Sequence, residues 1–504
     1  MDKKAKCYLV GAGPGDLGLV TLRAKELIEQ ADVIVYDYLC NPEMLNWARD
    51  DVELIYAGKK AGDHTLTQEA INALLVEKTQ AGRNVVRLKG GDPFLFGRGG
   101  EEAQALAAAG LQFQLVPGVT SATAAPAYAG IPVTHRGIAS HVTFFTGHED
   151  LAKTESAIDF AALAKLGGTQ VMLMGVERLD AIARELIGNG MRADLPVALI
   201  RWATTGRQKT LVGTLETIAQ RAVDAEFEAP AVAIFGEVVS LRRELNWFEN
   251  RPLAGKRIVV TRTRRQAGVL SGGLRDLGAD VIELPTIRIE PPSDLRAFAE
   301  LVQDAHSYDW IVFTSPNGVN AFFDLFYKLY DDAREIGGVR IAAIGSGTAA
   351  RLKDFRLHVD LQPPEFVAES LVKEFQSQGG VENLRILLAR AEQARDVLSK
   401  QLSTLGAIVD EGFAYRTVPE TRDQTGARRR LMEEGADLIT FTSSSTVDNF
   451  LALSLSWPAG MQVGTIGPVT SKTARERGLK VDFEARQHDI PGLVEAIKKF
   501  YGSR

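Results

Sequence analysis

The chain has 504 residues, of which 45% are hydrophobic and 24% charged, and its formal net charge is -6. This length exceeds what one hydrophobic core organises, and the composition is typical of a globular protein with several domains, which excludes a disordered or fibrous chain. The negative charge argues against a broad nucleic-acid-binding surface. No apolar run is long enough to span a membrane and the sequence opens on a predicted strand, so we expect a cytoplasmic protein without a membrane segment.

The cysteine and histidine residues form no metal-binding pattern. The two cysteines, Cys7 and Cys40, stand alone in the sequence, which predicts reduced and buried thiols. His135, His141 and His148 do not have the spacing of metal ligands, and each is expected to be structural. We therefore expect neither a metal site nor a disulfide.

Short apolar runs alternate with helical patterns along the whole chain, which predicts an α/β fold with mainly parallel sheets. The first unit shows the pattern: residues 7–10 are a predicted strand, 11–16 a tight loop and 33–37 a second strand. Between the strands, apolar residues recur at helical spacing after Thr21, which is the expected N-cap.

A charged and irregular stretch at residues 241–256 precedes a new predicted strand at 257–261. We place the main domain boundary in this stretch, which makes a short linker. If each half has a core of its own, fragments cut near Asn250 are expected to fold and act separately.

The second half contains an internal repeat. The segment DWIVFTSPNGVNAFF at 309–323 parallels DLITFTSSSTVDNFL at 437–451, and residues 339–360 parallel residues 461–482. Each copy has the pattern of strand, Ser/Thr/Gly loop, helix, strand, glycine loop and helix. Two domain-sized copies indicate a duplicated lobe and not a solenoid, and two similar lobes imply a cleft between them.

The loop GAGPGD at 11–16 connects a predicted strand to a predicted helix, where glycines let a ligand approach the backbone. It nearly matches the dinucleotide pattern GxGxxG, and Asp37 ends the next strand where a ribose-binding carboxylate would lie. An NAD-dependent oxidoreductase is therefore one interpretation. Asp16 replaces the third glycine, which allows close packing of helix and strand, and this substitution weakens the interpretation.

Four segments in fixed order carry a more specific signal: YLVGAGPGD, ADVIVYDYL, VVRLKGGDPFLFGRGGEE and VPGVTSATAAPAYAGIPVTHR. With TGHED, VMLMGV, DLPVALI and LNWF further along, they make residues 1–245 closely resemble uroporphyrinogen-III C-methyltransferases of the tetrapyrrole methylase class. The resemblance implies two α/β lobes, at about 1–118 and 119–245, in a homodimer that binds S-adenosylmethionine between the lobes. It also implies methylation of carbons 2 and 7 of uroporphyrinogen III to give precorrin-2.

Methylation of a tetrapyrrole carbon needs a sulfonium held in line with that carbon and a base that takes the proton lost later. The family pattern implies Asp37 as the base and Lys59 as a proton donor. As single residues, an aspartate at a strand end is usually a helix cap or a ligand clamp, and a lysine in AGKKAG is usually solvated. Lys59 would equally suit a substrate carboxylate.

The resemblance also implies a set of cofactor contacts, partly through the main chain. They are Pro14, Gly90, Gly91, Asp92, Leu95, Thr120, Ser121, Met174 and Ala203. The Gly90 loop follows a predicted strand, so its backbone and carboxylate oxygens are expected to face the cationic cofactor. Thr120-Ser121 stands where Thr-Ala is expected and Ala203 where glycine is common, which are changes that backbone contacts tolerate. Met174 taken alone would be core filler.

The polar loops of the repeat in the second half allow two interpretations. A serine or threonine before a helix is most often an N-cap. Such loops occur on both lobes, and the free N–H groups of helix N-termini are natural carboxylate sites, so two facing sets would hold a flexible polyacid. From these residues alone, the half is a bilobed protein that binds a ligand with or without catalysis.

The segments FTSPNGV, AAIGSGTA, RAEQARD, YRT, FTSSSTV and TIGPVTSKTA make residues 252–504 resemble uroporphyrinogen-III synthase, a bilobed fold with parallel sheets. In that family one lobe contains both chain ends. This implies lobe one at 252–286 plus 419–504 and lobe two at 287–418. The implied reaction dehydrates hydroxymethylbilane and closes it through a spiro intermediate that leaves ring D inverted.

Such an enzyme mainly folds a reactive substrate into one geometry and helps water leave, which suits a cleft rich in Ser, Thr and backbone donors. Tyr415, in the YRT segment, is the predicted proton donor to the departing hydroxyl, and its alternative is a sheet-edge aromatic. The predicted substrate contacts are Thr314, Ser315, Asn317, Ser346, Arg390, Thr442 and Ser443. Arg390 would alternatively be a surface ion-pair partner.

The two implied activities are consecutive, because the second half makes the substrate of the first. We therefore predict a bifunctional enzyme of tetrapyrrole biosynthesis, on the route to sirohaem or cobalamin, with precorrin-2 as its product. The alternative joins an NAD-binding oxidoreductase half to a non-catalytic ligand-binding half. No nucleic-acid or membrane partner is expected.

Overall fold

The computed structural model describes residues 5–58, 66–148, 158–262, 264–364, 368–394 and 396–502. Its strands form four five-stranded sheets. By their contacts the residues divide into two compact units, Met1–Leu284 with Arg422–Arg504, and Pro285–Thr421. Among the described residues, no helix is both long enough and apolar enough to cross a bilayer.

The first sheet belongs to the N-terminal half and is parallel throughout. Its strands and helices are β1 (Cys7–Gly11), α1 (Leu22–Gln30), β2 (Val33–Tyr36), β3 (Glu53–Tyr56), α2 (Gln68–Gln80), β4 (Val85–Lys89), α3 (Gly99–Ala108) and β5 (Phe113–Val116). The strand order is β3-β2-β4-β1-β5. Separate apolar clusters cover its two faces, with Val10 in one and Leu9 in the other, as expected for a sheet buried between helices.

The predictions for this first unit are confirmed. The strand predicted at 7–10 is β1, and the strand predicted at 33–37 is β2, after which Asp37 follows directly. Thr21 caps α1, since its hydroxyl accepts a hydrogen bond of 3.1 Å from the backbone N–H of Ala24.

The second sheet departs from the predicted parallel pattern. Its elements are α4 (Ser121–Tyr128), β6 (Val142–Thr146), α5 (Phe160–Leu166), β7 (Thr169–Leu173), α6 (Leu179–Gly188), β8 (Pro196–Arg201), β9 (Lys209–Thr214), α7 (Ile218–Asp224), β10 (Ala231–Phe235) and α8 (Arg242–Leu245). In the order β6-β7-β10-β8-β9, only β6 and β7 pair in parallel. The short connection at 202–208 lets β8 and β9 form an antiparallel pair, whereas a parallel pair needs a longer crossover.

The second half begins at β11 and contributes the other two sheets. Its strands are β11 (Arg257–Val260), β12 (Asp280–Glu283), β13 (Ile287–Glu290), β14 (Trp310–Phe313), β15 (Arg340–Ala343), β16 (Arg385–Ala391), β17 (Ile408–Pro419), β18 (Leu438–Phe441), β19 (Gln462–Thr465) and β20 (Phe483–Glu484). Its helices are α9 (Arg264–Asp276), α10 (Leu295–Gln303), α11 (Pro316–Leu329), α12 (Ser346–Asp354), α13 (Ala368–Ser377), α14 (Val397–Thr404), α15 (Ala427–Glu434), α16 (Ser444–Ala452), α17 (Pro468–Glu476) and α18 (Ile490–Gly502).

The two sheets of this half lie in different units. The sheet β12-β11-β18-β19-β20 belongs to the unit that also contains the N-terminal half, and all its pairs are parallel. The sheet β13-β17-β16-β14-β15 forms the other unit and is parallel except for the edge pair β13 and β17.

The predicted repeat is confirmed in both sheets. One copy runs β14, α11, β15 and α12, and the other runs β18, α16, β19 and α17. Ser315 caps α11 with φ -160° and ψ 156°, and Ser443 caps α16 with φ -163° and ψ 162°. Each serine hydroxyl accepts a hydrogen bond from the backbone N–H three residues later, so the two loops share one local structure.

Candidate active sites

Three glycine loops meet at the carboxyl ends of β1, β4 and β5. Gly13 and Gly91 exchange backbone hydrogen bonds of 3.2 and 2.7 Å. A Cβ atom placed on Gly118 would lie 2.2 Å from the carbonyl oxygen of Gly91, and one on Gly11 would lie 2.4 Å from Gly118 Cα. The glycines therefore allow the loops to approach one another. The sequence interpretation did not predict this packing role for Gly118.

The Asp92 carboxylate accepts two hydrogen bonds that hold the loop after β4 in place. Its Oδ1 atom accepts a 2.8 Å hydrogen bond from Phe94 N, and Oδ2 accepts a 3.0 Å bond from Gly118 N. Asp92 thus holds the loop after β4 against the segment that leads into α4.

Three other predicted cofactor contacts, Thr120, Ser121 and Leu95, can be placed relative to these loops. Thr120 caps α4 by accepting a 3.2 Å hydrogen bond from Ala122 N. A Cβ atom on Gly91 would have Ser121 N and Thr120 Cα as its nearest neighbours, both at 3.8 Å. The structure therefore brings Gly91, Thr120 and Ser121 together, whereas Leu95 packs against the apolar cluster that contains Ala203.

The glycine loop of β1 contacts the loop after β8. Asp16 N donates a 3.0 Å hydrogen bond to Thr204 Oγ1, and a Cβ atom on Gly15 would lie 2.7 Å from Thr205 Cγ2. Pro14 lies half-buried in this loop. The Asp16 carboxylate accepts bonds of 2.8 Å from both Gly18 N and the Tyr128 hydroxyl. Burial and the hydrogen bond to Asp16 raise the pKa of this tyrosine above its ordinary value.

This arrangement differs from a dinucleotide site. In that fingerprint the glycine loop leads directly into a helix whose N-terminus holds the pyrophosphate. Here a short 3₁₀ turn at Leu17–Leu19 intervenes, and α1 starts only at Leu22 under its own cap, Thr21. The geometry therefore disfavours the NAD interpretation.

Several residues other than glycine adopt left-handed backbone conformations in loops that carry or adjoin predicted cofactor contacts. Phe96 has φ 55°, Met174 55°, Trp202 48° and Thr204 66°, in the loops after β4, β7 and β8. Such conformations cost energy for residues with a Cβ atom and are concentrated at functional sites. The Met174 side chain is 52% exposed, so the interpretation of Met174 as core filler is wrong.

Asp37 is the partly exposed end of a buried network of charged side chains. Its Oδ1 atom lies 2.7 Å from Arg87 Nη2, and Arg87 Nε lies 3.1 Å from Glu102 Oε1, which Lys89 Nζ contacts at 2.8 Å. Arg87, Lys89 and Glu102 are at most 4% exposed, whereas the Asp37 side chain is 26% exposed. The network balances two cations with two carboxylates and fixes the one carboxylate that reaches the surface. Arg87 was missed in the sequence, although a basic residue in the apolar strand VVRLK was a signal.

Cys40 lies close to Asp37 but is not available as a nucleophile. Burial and the charge of Asp37 raise the pKa of its thiol to about 12. Both cysteines are free and buried, as predicted. Lys59 lies outside the described residues. In the described part of the chain, no group of three His, Cys, Asp or Glu side chains is placed to hold a metal ion.

A stability test follows from the contact between the glycine loops. Gly118→Ala is expected to lower the free energy of unfolding by about 1–3 kcal/mol, because the added methyl group overpacks the loops against Gly91. Chemical denaturation would measure the change. Gly100→Ala is the matched control, since nothing lies within 4 Å of its Cβ position, and it should stay within about 0.5 kcal/mol of the parent. Equal stabilities of the two variants would contradict this account of the loops.

In the second half, Tyr415 lies on an interior strand. β17 is flanked by β13 and β16, and Tyr415 pairs with Ala391 of β16 directly before the residues that pair with β13. The side chain is 8% exposed, and its hydroxyl lies 2.9 Å from Ser315 Oγ. Ser315 Oγ also accepts a 3.1 Å hydrogen bond from Gly318 N. The predicted proton donor and one predicted substrate contact are thus paired at the N-terminus of α11.

Three further predicted contacts lie near this pair. Thr314 precedes the Ser315 cap, Asn317 lies in the first turn of α11, and Ser346 begins α12. A Cβ atom on Gly347 would lie 3.8 Å from Pro316 Cγ, so the N-termini of α11 and α12 are neighbours. The N-termini of two helices therefore lie side by side, an arrangement that suits a carboxylate.

Arg390 is buried, which bears on its alternative interpretation as a surface ion-pair partner. It is 3% exposed at the end of β16, and its Nη2 atom donates to Ala394 O at 2.7 Å and to Asp396 Oδ1 at 3.0 Å. Glu411 Oε2 lies 3.6 Å from the same nitrogen. It is therefore not a surface ion-pair partner, and it holds the turn that follows β16.

The remaining two predicted contacts belong to the other copy of the repeat. Thr442 follows β18, and Ser443 forms a capping box with Thr446 at the start of α16. The hydroxyl of Ser444 lies 2.7 Å from Thr473 Oγ1 of α17. The first turn of α16 therefore lies against α17.

The two halves match two family models. The model of Tetrapyrrole (Corrin/Porphyrin) Methylases matches residues 6–219, and the model of Uroporphyrinogen-III synthase HemD matches residues 268–495. The chain is thus a fusion of a tetrapyrrole methylase and a uroporphyrinogen-III synthase, and the predicted fold class and enzyme classes are confirmed.

Similar proteins narrow this assignment. The porphyrin biosynthesis protein HemD of Ruminiclostridium josui is 38% identical over 98% of this chain and 98% of its own length. The S-adenosyl-L-methionine-dependent uroporphyrinogen III methyltransferase of Methanosarcina barkeri is 54% identical over 47% of this chain and 92% of its own. The chain therefore belongs to the family of porphyrin biosynthesis proteins that includes the Ruminiclostridium HemD.

Among solved structures, the uroporphyrin-III C-methyl transferase of Thermus thermophilus complexed with S-adenyl homocysteine is similar to the N-terminal half. It is 39% identical, all of it is covered by 47% of this chain, and the TM-score is 0.41.

Proposed function

We propose that the C-terminal half converts hydroxymethylbilane to uroporphyrinogen III with inversion of ring D, and that the N-terminal half then methylates carbons 2 and 7 to give precorrin-2. One observation carries the proposal: a porphyrin biosynthesis relative matches 98% of the chain, across both halves. Two enzymes of consecutive steps in one chain make a coherent function. The division into 1–245 and 252–504, a homodimer through the first half and a cytoplasmic location are parts of the same proposal.

S-adenosylmethionine, which the name of the Methanosarcina relative specifies, is the proposed methyl donor. The glycine loops suit such a ligand because three of the proposed contacts lie together there: a Cβ atom on Gly91 would be 3.8 Å from both Ser121 N and Thr120 Cα. The proposed contacts are Pro14, Gly90, Gly91, Asp92, Leu95, Thr120, Ser121, Met174 and Ala203. When bound, the cofactor supplies an electrophilic methyl group.

Asp37 is the proposed base of the methyltransferase half. Its carboxylate is partly exposed and is held by Arg87, which is itself fixed by Glu102. A carboxylate in a fixed position at the edge of the glycine loops suits removal of a proton from a bound tetrapyrrole. Lys59 remains the proposed proton donor.

In the synthase half, the Tyr415 hydroxyl is the proposed donor to the departing hydroxyl of hydroxymethylbilane. The contact with Ser315 supports this role, because a second hydroxyl at 2.9 Å orients the phenol. Thr314, Ser315, Asn317, Ser346, Thr442 and Ser443 are the proposed substrate contacts. Arg390 is also a proposed substrate contact, and it holds the turn after β16 in place.

One experiment tests both reactions. The purified protein is supplied with hydroxymethylbilane alone and with hydroxymethylbilane plus S-adenosylmethionine, and the products are separated by isomer and by methylation state. Uroporphyrinogen III is expected in the first case and precorrin-2 in the second. Formation of the type I isomer alone would contradict the synthase assignment, and calorimetric binding of NAD in preference to S-adenosylmethionine would contradict the methyltransferase assignment.

A further inference from the structure

Gly206, in the loop between β8 and β9, lies against backbone from beyond the domain boundary. A Cβ atom on Gly206 would lie 2.3 Å from Asp280 N and 2.4 Å from the carbonyl carbon and oxygen of Ala279. Its φ is not in the left-handed region, unlike that of Gly15 or Gly190. Glycine is therefore required at position 206 by its neighbour in the second half, and not by its own backbone.

Polar contacts cross the boundary beside Gly206. Arg275 Nη2 lies 2.5 Å from Glu43 Oε2 and 3.1 Å from Glu283 Oε1, so one arginine of the second half joins a carboxylate from each half. Arg207 Nη1 lies 3.3 Å from Glu434 Oε1. The Arg207 guanidinium also stacks at 3.9 Å over the ring of Trp202, which fixes its direction.

The segment between the halves takes part in the same contacts and is not a free linker. Phe248 and Leu253 are 4% and 0% exposed. The guanidinium carbon of Arg251 lies 3.6 Å from the centre of the Phe248 ring, and its Nη1 atom donates a 3.0 Å hydrogen bond to Arg275 O. Leu253 N donates a 2.8 Å hydrogen bond to Leu277 O. These contacts attach the segment to the end of α9.

We propose that the methyltransferase half and the part of the synthase half made by residues 252–284 and 422–504 are docked on each other through one fixed surface. The docking surface consists of Glu43, Leu45, Gly206, Arg207 and Arg251 on one side and Arg275, Ala279, Asp280, Gln424 and Glu434 on the other. Gln424 contributes a 3.2 Å hydrogen bond to Leu45 O. The second half of the same chain thus covers this surface of the methyltransferase half.

The surface also makes stability depend on pH. Burial raises the pKa of Glu43 to about 7. Arg275 and Arg430 act against this increase, whereas the charge of Glu283 adds to it. Because the folded protein holds this proton more tightly than the unfolded chain, the stabilisation is complete below the ordinary carboxyl pKa. It is lost as the pH rises through about 7. Glu43→Gln should therefore reduce the fall in melting temperature between pH 5.5 and 8. Thermal unfolding in about six buffers across this range would measure the change.

Hydrogen–deuterium exchange on the full chain tests the docking without any substrate, so its outcome is separate from that of the proposed function. Gly206→Ala is expected to accelerate exchange at least about tenfold in peptides covering 274–283 and 424–434, which belong to the second half. Gly188→Ala is the control, because nothing lies within 4 Å of its Cβ position. Acceleration confined to residues near 206 would overturn the proposal.

A second variant, Arg275→Gln, changes the docking surface on the side of the second half. Arg275→Gln removes the cation that Glu43 and Glu283 share, and it is expected to accelerate exchange in peptides covering 41–48 of the first half. Circular dichroism would establish that each variant keeps its secondary structure. Unchanged exchange at 41–48 in a folded Arg275→Gln protein would also overturn the proposal.

Discussion

Asp37→Ala is expected to abolish methylation by the N-terminal half while uroporphyrinogen III formation stays near the parent rate. The carboxylate follows β2 at the edge where the glycine loops meet, and Arg87 holds it at 2.7 Å. Loss of a positioned base typically costs about 10²- to 10⁴-fold in rate. Precorrin-2 formation from supplied uroporphyrinogen III and S-adenosylmethionine would measure the methylation, and hydroxymethylbilane turnover would measure the synthase.

Two comparisons separate a catalytic role of Asp37 from a structural one. Asp51→Ala removes a 76% exposed carboxylate of the same lobe, which pairs with Arg49, and should leave methylation unchanged. Asp37→Asn keeps the shape of the side chain and a hydrogen-bond acceptor for Arg87, so it should lose methylation as fully as Asp37→Ala while keeping more stability. Retained precorrin-2 synthesis by either Asp37 variant would remove Asp37 from the mechanism.

The elements that depend on local sequence were predictable. The strand and N-cap of the first unit follow from hydrophobic periodicity and from Thr21, which needs only its own helix to act. The repeat was visible because Ser315 and Ser443 occupy equivalent places in similar segments, and both are N-caps. The direction of β8, β9 and β10 was not predictable, because buried strands have the same apolar pattern in parallel and antiparallel sheets.

The candidate sites were predictable as sets of loops but not as contacts. The rule that parallel strands end at one edge brings Gly91 and Thr120 near the first glycine loop. The sequence did not show that Gly118 packs on Gly91, because that fit depends on how closely the loops approach. It also could not show that Arg87 reaches Asp37 or that Arg390 is buried, since a charged residue in a strand is paired by elements distant in the sequence.

The domain boundary illustrates the same limit. A charged, irregular segment suggested a short linker near Asn250, and the sequence did not show that Phe248 and Leu253 in this segment are buried. The glycine that fits this contact, Gly206, lies about 50 residues before the boundary, where a sequence pattern shows only a loop. Composition indicates where one domain ends and the next begins, but it does not show which surfaces of the two domains pack together.

The largest effect expected in the second half is that of Tyr415→Phe, which should slow water loss from hydroxymethylbilane by about 10²- to 10⁴-fold, as for other positioned acids. The change removes only the hydroxyl that lies 2.9 Å from Ser315 Oγ and keeps the buried ring. Released hydroxymethylbilane closes spontaneously without ring inversion, so the product should shift from the type III to the type I isomer. Separation of the uroporphyrin isomers after oxidation would measure the ratio.

Tyr308→Phe is the matched control for this change. It removes a hydroxyl from a buried tyrosine of the same unit, whose partner is Asp410 at 2.8 Å and not the N-terminus of α11. It should therefore cost stability without changing the isomer ratio, whereas Ser315→Ala, which removes the partner of Tyr415, should give an intermediate shift. Methylation of supplied uroporphyrinogen III should be normal in all three variants. If Tyr415→Phe makes the type III isomer at the parent rate, Tyr415 serves packing alone, and the serine and threonine loops must carry the dehydration.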